Sequence, residues 1–204
     1  MEVRAVRATF SPMRWPLPGG LDGAHVDALC TYFDLLAQWN ARVDLTAART
    51  PEAMVELMLT DAVVLAQHVR RGASIVDVGT GGGAPGLILA ILRPDLAVTL
   101  VEPLQKRVSF LRTAIGTLGR TDVALVHGKG ESVAPHGFDE AVSRATLAPP
   151  EWLALGARLV RPGGLVWVLV AKVEPPALVS TALEVDFAYG DEKSRRLLGY
   201  RVAG

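Results

Sequence analysis

The stretch Ile75-Val76-Asp77-Val78-Gly79-Thr80-Gly81-Gly82-Gly83-Ala84-Pro85-Gly86 decides the fold. A short apolar run, rich in β-branched residues, reads as a buried strand. It breaks at a glycine-rich turn, and an apolar segment over residues 87–92 continues as a helix. Strand, glycine turn and helix in that order bring backbone N–H groups close to a bound ligand. Glycines suit such a turn because a Cβ would block the approach, and because they reach positive φ at low steric cost.

Downstream of this stretch, strand and helix signals alternate. Strands are expected at Ser74–Val78, 98–101 (ending at Glu102), 122–126, Phe138–Ser143 and 165–171. Helices are expected at 84–92, 104–118 and 149–160, the last closed by Arg161-Pro162-Gly163-Gly164. Residues 165–171 are the most apolar strand and are expected near the sheet centre. The tail, 183–189 and 195–202, reads as a closing hairpin. Repeated βα units imply an α/β fold with a mostly parallel, doubly wound sheet, to which the hairpin adds an antiparallel edge strand.

Upstream, residues 1–20 read as an irregular arm with Pro12, Pro16, Pro18, Gly19 and Gly20. Val26, Leu29, Phe33, Leu36 and Trp39 recur at helical spacing over 22–40, behind Asp22 as N-cap. A second helix starts with Thr50 as N-cap and Pro51 at its first position, and closes near Arg70-Arg71-Gly72. The expected organisation is an arm and helical extension over 1–71 and a ligand-binding domain over 72–204, packed as one unit.

A chain of 204 residues that is half hydrophobic can bury a sizeable core. Its apolar runs are too short to span a bilayer, and its first residues lack the apolar core of a signal peptide. A cytoplasmic protein, off the membrane, is expected, and a monomer is taken as the working expectation. Cys30 is the sole cysteine, which excludes an intramolecular disulfide and a cysteine-based zinc site. The histidines form no metal-spaced cluster, so no metal is expected. Formal net charge is zero, which argues against a uniformly basic protein but leaves room for a local patch.

Acidic residues separate the two cofactor classes that share a glycine turn. Asp77 lies two residues before Gly79, at the strand's carboxyl end. A carboxylate there repels a pyrophosphate, but suits a ligand carrying an ammonium and a sulfonium, as S-adenosylmethionine does. The dinucleotide fingerprint has no acid at that point. Gly79, Gly81 and Gly83 then alternate along the turn. Glu102 ends the second strand, where a carboxylate accepts hydrogen bonds from ribose hydroxyls; the alternative is a surface carboxylate near Lys106.

The acceptor is narrowed by what the chain lacks. Methylation at pyrimidine C5 needs a cysteine nucleophile, and Cys30 sits in a core-like helical pattern. Methylation of exocyclic amines typically uses an Asn/Asp-Pro-Pro-aromatic turn after the fourth strand, where this chain has Ser143-Arg144-Ala145-Thr146. A ring nitrogen such as guanine N7 carries an in-plane lone pair and no proton, so it needs no base.

Taken together, Trp39-Asn40, Leu45-Thr46, Asp61, Asp77-Val78-Gly79-Thr80-Gly81, Pro85-Gly86, Lys106-Arg107-Val108 with Phe110-Leu111, Phe138-Asp139, Val142-Ser143-Arg144-Ala145 and Ala171-Lys172 resemble a known family. It is that of the bacterial 16S ribosomal RNA guanine-N7 methyltransferases, RsmG or glucose-inhibited division protein B. The resemblance covers about two thirds of the chain, in order. It implies a class I, Rossmann-like methyltransferase fold, S-adenosylmethionine as cofactor, and 16S ribosomal RNA or the small-subunit particle as partner. By position it places Gly79 and Ala84 along the cofactor, Gly130 and Glu131 beside its adenine, and Arg144 and Lys172 at the reacting end. Arg144 then holds the cofactor carboxylate or an RNA phosphate; the alternative is a structural ion pair with Glu140 or Glu151.

The chain departs from the family's pattern at several positions. Gly82 and Ala84 stand where the family has Pro and Leu, Leu57 and Met58 where it has Arg-His, Ala62 where it has Ser, Asp44 where it has Asn, and Val173 where it has Gly. Arg42, Arg49, Arg70 and Arg71 could share a phosphate-binding face with Lys106, Arg107, Arg112 and Lys172; the alternative is scattered, solvated cations balanced by acids. Lys193, Arg195 and Arg196 read as charges protecting a sheet edge.

Overall fold

A computed structural model describes residues 20–144, 146–171, 181–189 and 193–204. Two helices come first, α1 (Gly23–Val43) and α2 (Pro51–His68). Both start where their caps predict. The Asp22 carboxylate accepts from the His25 N–H, and the Thr50 hydroxyl accepts from the Ala53 N–H, with Pro51 opening α2. Then follow β1 (Ser74–Val78), α3 (Gly86–Leu92), β2 (Ala97–Glu102), α4 (Gln105–Thr117), β3 (Ala124–His127), a short 3-10 turn (Gly130–Ser132) and β4 (Phe138–Ser143). The chain ends with α5 (Pro149–Leu159), β5 (Val160–Ala171), β6 (Thr181–Tyr189) and β7 (Lys193–Arg201).

The seven strands form one sheet in the order β3-β2-β1-β4-β5-β7-β6. β1 to β5 are mutually parallel, and β7 runs antiparallel between β5 and β6. The order reverses between β1 and β4, so their carboxyl ends open the crevice in which doubly wound sheets bind ligands. The middle strand is β4, with β5 beside it. β5 starts earlier than the sequence suggests. Val160 pairs with Phe138 and Leu165 pairs with Glu140, so Arg161-Pro162-Gly163-Gly164 bulges out within the strand and does not merely close α5. The antiparallel strand of the hairpin is β7, and β6 forms the edge.

One hydrophobic core runs through both halves of the chain. Leu29, Tyr32, Phe33 and Leu36 of α1 and Met58, Leu59 and Leu65 of α2 pack with Ile75, Leu87, Ile88, Leu100, Phe110 and Trp167. Cys30 is buried in that core. A second cluster covers the opposite face of the sheet, with Val76, Val101, Trp152, Leu159, Val166 and Tyr200.

Candidate active site

The glycine turn leaves β1 at Val78 and is gripped from three sides. On the strand side, Asp77 is only 1% exposed, and its Oδ2 accepts a 2.8 Å hydrogen bond from the Gly86 N–H. Burial pushes its pKa up to about 6, against the pull of the neighbouring Thr80 hydroxyl, the Gly86 N–H and the Arg144 charge. Asp77 Oδ1 and Thr80 Oγ1 lie side by side, but neither closes a hydrogen bond of normal geometry. From β2, Glu102 is likewise 1% exposed. Its Oε2 accepts from the Gly81 N–H at 2.9 Å and its Oε1 from the Leu104 N–H at 3.0 Å. Glu102 is therefore an internal brace of the turn, and not a surface partner of Lys106.

The third side is the helical extension. The Tyr32 hydroxyl donates a 2.6 Å hydrogen bond to the Gly82 carbonyl. A Cβ on Gly82 would lie 3.2 Å from Met58 Cε and 3.3 Å from Leu36 Cδ1, so the departure to glycine here accompanies close packing of the turn on α1 and α2. Gly83 packs on Leu87 and Leu111, and Ala84 is buried in the core. The segment after α1 is ordered by Asn40. Its Oδ1 accepts from the Leu45 and Thr46 N–H groups at 2.7 and 2.8 Å, and its Nδ2 donates to the Thr46 carbonyl at 3.0 Å. Asn40 thus fixes the backbone of the segment through Leu45 and Thr46. The Leu45 carbonyl lies 3.4 Å from where a Gly82 Cβ would stand, so this segment also backs the turn.

Beyond the carboxyl ends of β1, β2 and β3 lies a cleft of about 220 Å³, lined by Val78, Gly79, Pro103, Gly128, Gly130, Glu131, Thr146 and Leu155 among others. Three residues singled out in the sequence, Gly79, Gly130 and Glu131, meet here. Gly130 fits because a Cβ would collide with Val78 and Leu155 at 2.8 Å each. Thr146 was not singled out, yet its side chain lies directly over Gly79, and its Oγ1 is within 3.5 Å of the Val78, Gly79 and Arg144 carbonyls. The signal available was its place two residues after Arg144 in the same turn.

Arg144 follows β4 and turns towards α2. Its side chain is 19% exposed, with Nη1 donating to the Leu57 carbonyl at 2.6 Å and lying 3.4 Å from Asp61 Oδ2, while Nη2 faces Met58 Sδ at 3.3 Å. The ion-pair partner is thus Asp61, and neither Glu140 nor Glu151. Glu140 is engaged elsewhere, accepting from the Arg70 N–H and from Trp167 Nε1. Arg195 of β7 joins the same Asp61 oxygen at 2.6 Å. It stands opposite Ala171, the carboxyl end of β5, so it belongs to the crevice side of an interior strand and is not an edge-protecting charge.

The expected basic face divides in two. Arg70 pairs with Asp139 at 2.5 Å beside the start of β1, at the far end of the sheet from the glycine turn. Five strand residues at about 3.3 Å each separate the two ends, so Arg70 and Arg71 do not share a face with the crevice. On the crevice side, Arg107 Nη1 approaches the position of a Gly81 Cβ to 4.0 Å, and Lys106 is exposed. Lys172 and Ala145 lie outside the described residues.

The glycine turn, its two buried acids and the crevice beyond β1 and β4 match a sequence family. The profile of rRNA small subunit methyltransferase G (GidB) matches residues 25–193. The chain belongs to this family. Ribosomal RNA small subunit methyltransferase G of Methylobacillus flagellatus is 38% identical over 159 residues, which is 78% of this chain and 77% of that protein. Its counterpart in Neisseria meningitidis is 36% identical over 149 residues, 73% of this chain and 72% of that protein. A methyltransferase from Pyrococcus furiosus has the same fold, with a TM-score of 0.58 at 18% identity, covering 87% of this chain and 99% of that one. The family consists of S-adenosylmethionine-dependent methyltransferases, so the chain is an enzyme of that class with a Rossmann-like α/β fold. No helix among the described residues is long and apolar enough to cross a membrane.

Proposed function

We propose that this enzyme methylates N7 of a guanine in 16S ribosomal RNA, as free RNA or within the small-subunit particle, and works as a cytoplasmic monomer. The observation that carries the reading is the convergence of Gly79, Gly130 and Glu131 on one cleft, with the buried, unpartnered Oδ1 of Asp77 beside the same turn. These features fit the cofactor. The cleft is where the cofactor's adenine is assigned, beside Gly130 and Glu131. Gly79 and Thr146, packed against each other, both line the cleft, and the Asp77 carboxylate is a counter-charge for an ammonium or sulfonium. Glu102 keeps lone pairs beyond the two it gives to backbone N–H groups, and these suit ribose hydroxyls.

S-adenosylmethionine supplies an electrophilic methyl group. The protein's own residues bind, align and shield. Asp77, Gly79, Gly81, Glu102, Gly130 and Glu131 hold the cofactor, with Gly83 and Ala84 seating the turn from the core side. Arg144 orients the acceptor, and Lys172, outside the described residues, keeps the catalytic role that the family resemblance gives it. Guanine N7 has a lone pair and no proton, so alignment is what the site has to provide.

Labelled methyl transfer to small-subunit RNA lacking the modification, mapped by strand cleavage at 7-methylguanosine, tests this directly. One labelled guanine is expected. Label on a small molecule with none in RNA overturns the acceptor assignment but keeps the cofactor.

A further inference from the structure

Arg144 is held by only part of its guanidinium. Nη1 serves the Leu57 carbonyl and Asp61, and one Nη2 donor faces Met58 Sδ. A guanidinium has five N–H donors in a planar fork. Nε–H and the second Nη2–H, which lie on one edge of that fork, have no partner among the described residues. Two parallel donors on one edge are the arrangement that takes a carboxylate or phosphate bidentately.

What fixes this edge comes from two other parts of the chain. Asp61 of α2, with its side chain 2% exposed, places its Oδ2 between Arg144 and Arg195. The Arg195 bond is the shorter, 2.6 Å against 3.4 Å, so β7 anchors the carboxylate and the carboxylate orients Arg144. Burial holds the Asp61 pKa above the usual carboxylate range even with both arginines beside it, so the carboxylate is kept in place at a desolvation cost. Backbone hydrogen bonding to Leu57 and the sulfur contact to Met58 set the rest of the guanidinium plane. Leu57 contributes through its backbone and Met58 through its side chain, so α2 forms the wall behind Arg144.

We propose that Asp61 and Arg195 are positioning residues that aim the Nε–Nη2 edge of Arg144 into the crevice, where it takes an oxyanion bidentately. The oxyanion is either a backbone phosphate of the RNA or the carboxylate of the cofactor, and the assignment rests on the methyltransferase reading above. Neither Asp61 nor Arg195 touches the ligand. Both act through Arg144, linking the helical extension, β4 and β7 at one point.

The test is a double-mutant cycle on the full chain with Asp61→Asn, Arg144→Lys and the pair together, plus Arg195→Lys. S-adenosylhomocysteine affinity is read by calorimetry, KM and kcat for RNA by methyl transfer, and folding by denaturant titration. Arg144→Lys is expected to weaken one of the two affinities about tenfold by losing the fork. Asp61→Asn and Arg195→Lys are expected to weaken the same affinity, and the double variant to be no worse than Arg144→Lys alone. A loss confined to S-adenosylhomocysteine assigns the carboxylate. A loss confined to RNA KM, with a shallower salt dependence, assigns the phosphate. Losses that simply add, or stability changes with both affinities intact, overturn the proposal and leave Asp61 a structural counter-ion. A wild type that neither binds S-adenosylhomocysteine nor methylates RNA would remove the proposed function itself, an outcome distinct from a failed cycle.

Discussion

The hydroxyl of Tyr32 in α1 donates to the carbonyl of Gly82 in the glycine turn at 2.6 Å, across 50 residues of sequence. Tyr32 is fully buried, and its pKa is pushed far above the usual tyrosine value by burial. The extension is thus fastened to the part of the turn that faces away from the cleft. Tyr32→Phe leaves a buried carbonyl without its donor, at a cost of about 1–3 kcal/mol. Denaturant titration should show that loss with an unchanged slope, and S-adenosylhomocysteine affinity should fall with it. Unchanged stability would mean that the turn does not depend on α1.

Gly79 has φ +73°, and a Cβ there would run into Thr146. Gly79→Val therefore combines a strained backbone, costing about 1–2 kcal/mol, with a side chain in the cleft. No S-adenosylhomocysteine binding should be detected by calorimetry, while circular dichroism still reports the fold. Retained binding would move the cofactor away from this turn.

Asp44 closes α1 in the left-handed region, at φ 53° and ψ 58°. Asparagine and glycine tolerate that conformation better, and a negative charge at a helix C-terminus opposes the dipole. Its ion pair with Arg49 is long, 3.7 Å, and exposed, so little is lost with it. Asp44→Asn should raise stability by about 0.5 kcal/mol, read as a higher denaturation midpoint. It also removes an acid from between Arg42 and Arg49, so RNA KM should fall if that face meets phosphates.

Much of this was legible in the sequence because local signals agreed. The caps at Asp22 and Thr50, the run from Ile75 to Gly86 and the alternation that follows each fix their own backbone. The family resemblance points to Gly79, Gly130 and Glu131 together, and the parallel strands bring them to one cleft. Partners contributed by distant elements were not legible. Nothing near Arg144 in sequence names Asp61, which lies 83 residues away, and nothing near Arg195 places it on an interior strand. Arg70 was assigned to the crevice face because charge clustering says nothing about which end of a strand a residue occupies. The roles of Gly82, Gly83 and Ala84 likewise depended on packing. These residues face α1, α2 and α4, whose approach no local pattern encodes.

Asp77 sets stability against function. Its pKa is about 6 in the folded protein and near 3.8 in an unfolded chain. Between those values the folded state binds more protons, so this group's contribution to stability falls as pH rises from 4 to 6 and stays lost above. Asp77→Asn removes a buried charge while keeping the shape that accepts from the Gly86 N–H. It should stabilise the protein at pH 7 by up to about 3 kcal/mol, with little gain at pH 4. The same change should weaken binding of S-adenosylhomocysteine, whose ammonium loses its counter-charge, and wild-type affinity should drop as pH falls below 6. Denaturant titrations at both pH values, beside calorimetry across the range, separate the two effects. A variant that is more stable yet binds as tightly as the wild type would leave Asp77 a structural acid, and would take from the turn the feature that distinguishes it from a dinucleotide site.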